Sequence, residues 1–196
     1  VEANAVRFGQ RPAIVSEGQT LTWSELNEEA NRYAQYFKGQ GLERGDTVSL
    51  IMENRVEFLA LLIGLNKLGV TIGLINTNLN GRPLAHCVNV TNSKKCIFGA
   101  EVAARLEEVK AELSLSEGED YYVVADGDNA PSLNWAIDLG SASGDASRDN
   151  PPDTVETTIG ETAFYIFTSG TTGLPKAAVL SNRRYLISAD MAAIAG

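Results

Sequence analysis

Basic side chains are in short supply: 16 lysines and arginines against 25 aspartates and glutamates leave a formal charge of -9 at pH 7. So acidic a chain opposes sequence-independent binding to a phosphate backbone or to an anionic lipid surface. The basic pair Arg183-Arg184 is too short to reverse that balance, so nucleic acid is excluded as an expected partner. Histidine occurs once, at His86, and cysteine twice, at Cys87 and Cys96. With no second Cys/His pair at zinc spacing, Cys87 and Cys96 are expected to be reduced thiols, and His86 a solvated or capping residue. Long apolar runs are missing as well. The longest, Phe58 to Leu65, falls far short of the ~20 residues that span a bilayer. The opening VEANAVRFGQ has no apolar core and no small-residue cleavage site of the kind a secretory signal carries. A soluble, cytoplasmic chain is the expectation.

What the chain does contain is an alternation of short apolar runs with segments of helical period. At 44% hydrophobic and 21% charged residues it can bury a real core,. Ala13 to Ser16 reads as a strand closed by Glu17-Gly18. Thr22 and Glu25 stand at capping-box spacing, and Leu26, Ala30, Tyr33, Ala34 and Phe37 form one helical stripe that should stop at Gly39 or Gly41. Thr47 to Met52 reads as a buried strand, Asn54 as the cap of a helix to Leu68, with Gly69 closing it. Val70 to Ile75 is a strand, Asn80 caps a helix that contains His86 and Cys87, Lys95 to Phe98 is a strand, Glu101 to Leu113 a helix, and Tyr121 to Ala125 a strand. Strand and helix in alternation imply parallel pairing. The predicted fold class is therefore α/β, a mainly parallel sheet flanked by helices. Gly140 to Gly160, rich in Gly, Ser, Asp and Pro, reads as a long exposed loop within a single domain, because the apolar run that follows it needs a sheet to join.

Chemistry concentrates between Phe164 and Ser181. An apolar run, Phe164 to Phe167, feeds into Thr168-Ser169-Gly170-Thr171-Thr172-Gly173, and Lys176 precedes a second run, Ala177 to Leu180. Glycines let the main chain approach an anion and turn its N–H groups toward it. The hydroxyls of Thr168, Ser169, Thr171 and Thr172 add donors, and Lys176 adds a full positive charge. These are the parts of a triphosphate cradle on a strand, loop, strand frame. The spacing is GxxGxxK rather than GxxxxGK[ST], with Pro175 before the lysine and Ala177 where a metal-binding hydroxyl would stand, which argues against a P-loop. A flexible Ser/Thr/Gly turn remains the alternative on composition alone.

The stretch TSGTTGLPK resembles the phosphate-loop signature of the acyl-CoA synthetase, adenylation-domain and firefly-luciferase superfamily. AFYIFTSGTTGLPKAAVLSNRRYL, with Ala-Ala after the lysine, is similar to the fatty acid transport protein and very-long-chain acyl-CoA synthetase branch, and so is LINTNLNGRPLAHCVNVTNSKKCIFGAEV. The opening RPAIVSEGQTLTWSELNEEANRYAQYFKGQGLERGDTVSLIMENRVEFLALLIGLNKLG resembles N-terminal regions of the superfamily generally. One departure is Asn182, which stands where many relatives carry a histidine, so the resemblance leaves an acyl-gating role there open.

The resemblance implies that residues 1–196 are the N-terminal portion of an AMP-binding domain, with a C-terminal domain absent. It implies ATP-dependent activation of a long- or very-long-chain fatty acid through acyl-AMP to acyl-CoA, with ATP and coenzyme A as co-substrates and Mg²⁺ as cofactor. Lys176, Ser169, Gly170, Thr171, Thr172 and Gly173 would hold the phosphates, and Thr168 would add a hydroxyl ligand to Mg²⁺. Peripheral membrane association and a homodimer are compatible with it. The competing readings are an adenylating enzyme for another carboxylic acid and a non-catalytic nucleotide- or lipid-binding module. Because the resemblance places the remaining nucleotide contacts outside these residues, the 196-residue chain is expected to turn over nothing by itself,. Pyrophosphate release from ATP and palmitate above a no-protein control would contradict this.

Overall fold

The segments Thr47–Ile51, Thr71–Leu74, Lys95–Gly99 and Tyr121–Val124 are strands buried on both faces, which is why they read as nearly continuous rather than alternating,. The computed structural model describes residues 1–16, 18–127, 132–168 and 173–195. The helices are α1 (Glu2–Phe8), α2 (Trp23–Gly39), α3 (Val56–Lys67), α4 (Gly81–Val90), α5 (Ala103–Val109), α6 (Leu139–Ala142) and α7 (Asn182–Ala195). A hairpin of β1 (Pro12–Ser16) and β2 (Gln19–Thr22) stands apart as a two-stranded antiparallel sheet. The main sheet is formed by β3 (Thr47–Ile51), β4 (Thr71–Leu74), β5 (Lys95–Gly99), β6 (Tyr121–Val124), β7 (Ile137–Asp138), β8 (Thr162–Thr168) and β9 (Lys176–Ser181). Its order is β7-β6-β5-β3-β4-β8-β9. Every neighbouring pair is parallel except β8 with β9. The expected α/β class with a mainly parallel sheet is the class found.

Helices cover both faces. On one, Phe37 of α2 and Leu61 and Leu65 of α3 pack on Leu50, Ile72, Ile97 and Tyr122. On the other, Leu84 and Val88 of α4 and Leu106 and Val109 of α5 pack on Cys96, Phe98, Tyr121 and Trp135. Trp135 stacks on Phe98 at 5.2 Å between ring centroids, and Phe37 meets Tyr122 edge-on at 5.1 Å, geometries that suit the ring quadrupoles. Cys87 and Cys96 are free, buried thiols, and burial pushes them up to about 11 and about 12.

Helix ends follow local rules. The capping box closes at Thr22, whose Oγ1 accepts from the Glu25 N–H at 3.3 Å while the Glu25 carboxylate accepts from the Thr22 N–H at 2.8 Å. Gly41 (φ +80) and Gly69 (φ +73) end α2 and α3. In each case the next residue's N–H returns to the carbonyl five residues earlier, Leu42 to Phe37 and Val70 to Leu65, both at 3.1 Å. This is the Schellman arrangement, which needs a left-handed residue at that point.

Four expectations are corrected. Arg55, not Asn54, is the N-cap of α3, its backbone still extended there. Asn80 occupies the N-cap of α4, but its side chain makes no capping bond. The single helix read over Glu101–Leu113 is broken into a 3-10 turn (Ala100–Val102), α5 and a second 3-10 turn (Lys110–Glu112). The segment 140–160 is not a plain loop: it includes the end of α6 and a 3-10 turn at Pro152–Glu156, and it is strapped across α2.

The strap is held by polar groups, so hydrophobic patterning could not report it. Asn31 Nδ2 donates to the Arg148 carbonyl at 2.8 Å, Gln35 to the Asp149 carbonyl at 3.0 Å, and Lys38 pairs with Asp153 at 2.6 Å. Arg32 reaches the buried Ser143 hydroxyl, and Arg148 pairs with Glu29. At the centre is Lys67, whose side chain is only 5% exposed. Its ammonium donates to Glu2 at 2.8 Å, Asn27 Oδ1 at 2.7 Å and Asn31 Oδ1 at 2.6 Å. The two asparagine amides then donate to Asn150 Oδ1 of the strap, each at 2.9 Å. Burial pulls Lys67 below the ordinary lysine value, and Glu2 opposes that shift.

Lys67→Met should destabilise the chain by about 3 kcal/mol, because it strands the oxygens of Glu2, Asn27 and Asn31 without their donor. Urea denaturation reads the loss, and amide exchange should show residues 147–153 opening before the sheet. An unchanged midpoint with an unchanged strap would remove Lys67 from this role.

Candidate functional site at the carboxyl edge of the sheet

Strand β8 enters the sheet parallel to β4, with Ile72 opposite Phe164 and Leu74 opposite Ile166. Its carboxyl end therefore lies on the edge where β3 and β4 also end. Strand β9 returns antiparallel, and Thr168 pairs directly with Lys176. The expected strand, loop, strand frame is present: the loop opens at Thr168 and closes at Lys176. Ser169, Gly170, Thr171 and Thr172 lie outside the described residues, and so does the expectation that the loop is poorly ordered without ligand.

The described parts of the loop are specific. Gly173 has φ +108, a conformation side-chain-bearing residues rarely adopt,. Lys176 is exposed at the first position of β9. The Thr168 hydroxyl is exposed and donates to the Lys176 carbonyl at 3.5 Å, a long contact that leaves its oxygen lone pairs available,. Among the described residues, no three His, Cys, Asp or Glu side chains are grouped to hold a metal ion. Thr168 thus fits as one oxygen ligand to a cation that brings its other ligands with it, and not as part of an all-protein cage.

A cavity of about 600 Å³ opens between the ends of β3, β4 and β8, lined in part by Met52, Glu53, Asn54, Asn76, Thr77, Ile166 and Phe167. In open α/β sheets the crevice usually forms where connections leave adjacent strands in opposite directions. Here that point lies between β3 and β5, since β3 leads to β4 on one side and β5 to β6 on the other. It is plugged. Arg55 pairs with Glu101 at 2.9 Å and with Asp126 at 3.2 Å, and the Glu53 N–H donates to Glu101 at 2.8 Å. Gly99 permits the plug, because a Cβ there would collide with the Glu101 carboxylate and the Arg55 guanidinium. The opening is displaced toward β4 and β8.

A larger, mostly apolar hollow of about 780 Å³ lies elsewhere, at the amino end of β8, lined in part by Trp23, Leu62, Ile63, Phe164 and Tyr185. Asn182 borders it, at the first position of α7, and its side chain is committed internally. Its Nδ2 donates to the Thr158 carbonyl at 2.9 Å, and its Oδ1 accepts from Asn66 at 2.9 Å. Because β9 runs back along β8, Asn182 is at the opposite end of that strand from Thr168.

His86 departs from expectation. Half-buried within α4 rather than freely solvated or capping, it has Nε2 3.1 Å from the Pro175 carbonyl just ahead of Lys176. No sequence signal foretold this, because the two residues lie 89 positions apart.

An α/β sheet whose carboxyl edge frames a hydroxyl- and glycine-rich sequence ending on a lysine is a frame that nucleotide-binding proteins use, and known proteins narrow it. The AMP-binding enzyme family matches residues 1–195, and the chain belongs to that family. Long-chain fatty acid transport protein 1 of Bos taurus is 35% identical over 191 residues, covering 94% of this chain and 28% of that protein. Medium/long-chain-fatty-acid–CoA ligase FadD6 of Mycobacterium tuberculosis is 31% identical over 182 residues, covering 93% of this chain and 28% of that ligase. The chain thus spans 28% of the length of these curated relatives. Among solved structures, the inhibitor-bound N-terminal domain of FACL13 from Mycobacterium tuberculosis superposes with a TM-score of 0.76 at 26% identity, over 92% of this chain and 43% of that one. The anthranilate CoA ligase AuaEII, in complex with anthranoyl-AMP, shares the fold with a TM-score of 0.84 at 20% identity, over 96% of this chain and 35% of that one. No helix among the described residues is long and apolar enough to cross a membrane.

Gly173→Ala should cost about 1 to 3 kcal/mol if the β8–β9 pairing is kept, since Cβ penalises the positive φ. If the strain is relieved locally instead, amide protection at Lys176 to Val179 should fall. Urea denaturation and exchange together test this, and no change in either would show that the Gly173 conformation is not required.

Proposed function

We propose that this chain carries the phosphate-binding part of an ATP-dependent ligase that activates a long- or very-long-chain fatty acid as acyl-AMP and passes it to coenzyme A. In this reading residues 1–196 are the N-terminal portion of the AMP-binding domain. The observation that carries it is the frame of the loop: Thr168 and Lys176 are paired across β8 and β9, so the segment TSGTTGLPK begins and ends at the carboxyl edge of the sheet. Membership of the AMP-binding enzyme family supports adenylate formation. The acid is argued from sequence and not from fold. Relatives at 31 to 36% identity are named for long-chain or medium-chain fatty acids, whereas a structure superposing at a TM-score of 0.84 is named for anthranilate.

A fatty carboxylate, ionised at neutral pH, attacks the α-phosphate of ATP, and pyrophosphate leaves. Negative charge grows on the bridging oxygen of the leaving group. Donors held near the β- and γ-phosphates therefore stabilise the transition state more than the ground state. Lys176, the hydroxyls of Ser169, Thr171 and Thr172, and the N–H groups of Gly170 and Gly173 take that part. Bound Mg²⁺ would neutralise phosphate charge, with Thr168 as its protein oxygen. Coenzyme A thiol then displaces AMP to give the thioester. Self-association, and peripheral attachment of the whole protein to a membrane, belong to the same proposal. Exposed Val179, Leu186, Ile187 and Met191 on β9 and α7 offer apolar surface for either,.

In the product of the complete reading frame, Lys176→Ala should slow acyl-AMP formation by roughly 10 to 1,000-fold, the range for losing one electrostatic contact to a transition state. Palmitate binding should change little. Thioester formation from supplied acyl-AMP should be almost unaffected, since no pyrophosphate is present in that step. Equal losses in both half-reactions would indicate a folding defect, and no loss in either would remove Lys176 from the site.

A further inference from the structure

We propose that His86 is a positioning residue for the phosphate loop, holding the Pro175 carbonyl so that Lys176 leaves the loop in one direction. This rests on the reading that the loop binds phosphate. The Pro175 oxygen can only accept, so the imidazole must donate from Nε2 across the 3.1 Å separation,. Proline has no N–H, and its carbonyl is the one main-chain group through which that residue can be tied down.

The platform beneath His86 is rigid. Leu84, Ala85, Cys87 and Val88 on both sides of it are buried in the core on the α4–α5 face, and Phe167 near the end of β8 packs against the same core. The imidazole and the start of the loop are thus referenced to one packed body. On the far side of the loop, Thr168 fixes Lys176 by strand pairing. Between these two restraints the chain turns at Gly173 through a positive φ and enters Pro175. Strand pairing sets where the Lys176 backbone sits. The His86 bond sets the orientation of the peptide group that leads into it, and with it the path of the lysine side chain toward a phosphate. A cation aimed about an ångström wide of a developing charge can cost ~10²-fold in rate.

The test uses ATP–pyrophosphate exchange with palmitate, on the product of the complete reading frame. His86→Ala and His86→Asn should lower the exchange kcat by roughly 5- to 100-fold, with the KM for palmitate unchanged. His86→Gln, whose amide N–H reaches the place of imidazole Nε2, should recover most of the loss. Asparagine is too short to do so. A purely architectural role would move the thermal midpoint and both kinetic constants together and would not separate Gln from Asn. If His86→Ala fails to fold, the Gln and Asn variants decide. Exchange by His86→Ala within about twofold of wild type, or a Gln variant as slow as the Asn variant, would overturn the inference alone. A wild-type protein with no exchange would overturn the phosphate-loop reading, and this inference with it.

Discussion

The pairing of β8 with β4 is the contact on which the candidate site depends. Those strands are far apart in sequence, and their parallel register, Ile72 opposite Phe164, carries the segment TSGTTGLPK to the edge where β3 and β4 end. Without that pairing the loop would be a turn between two strands of an isolated hairpin, marginal in water. With it, one end of the loop is anchored to a sheet packed on both faces. Strand β9 has no comparable support: it closes the sheet order, and four of its six residues are exposed.

Long-range closure of this kind carries an entropic cost, and the strap over α2 offsets part of it. Between β7 and β8 the chain passes across α2 on hydrogen bonds and ion pairs, with the buried ammonium of Lys67 joining α1, α2, α3 and the strap through Glu2, Asn27, Asn31 and Asn150. The Arg55–Glu101 pair acts similarly at the other end of the sheet, filling the crevice where the topology would otherwise open. Two polar assemblies thus decide where the sheet is closed and where it is accessible, while the apolar core decides only that it is a sheet.

One fold carries proteins named for different acids. The same scaffold superposes on a protein named for anthranilate and on one named as a fatty acyl CoA synthetase. In the proposed reading the phosphate end of the reaction is common to every acid, and the strand pair β8–β9 is its frame. Pocket walls that tell one acid from another can change without disturbing the strands beneath them, which is why function on a common fold is argued from sites and from sequence relatives.

Much of this was legible in the sequence. Strands buried on both faces read as apolar runs, Thr22 and Glu25 read as a capping box, Gly41 and Gly69 as stops, and the segment from Phe164 to Leu180 as strand, loop, strand, because each depends on residues near one another along the chain. The strand β7, only Ile137–Asp138, and the hairpin partner β2 were not, since such short pieces carry no period. Nor was the seating of 140–160, because a polar segment reads as loop whether or not another element supplies its partners. The bond from His86 to Pro175 is the clearest case. One histidine beside one cysteine in a helix carries no chemical signal of its own. It gains one only when the sheet brings α4 against the end of β8, since a hydrogen bond depends on distance in space and the sequence records only distance along the chain.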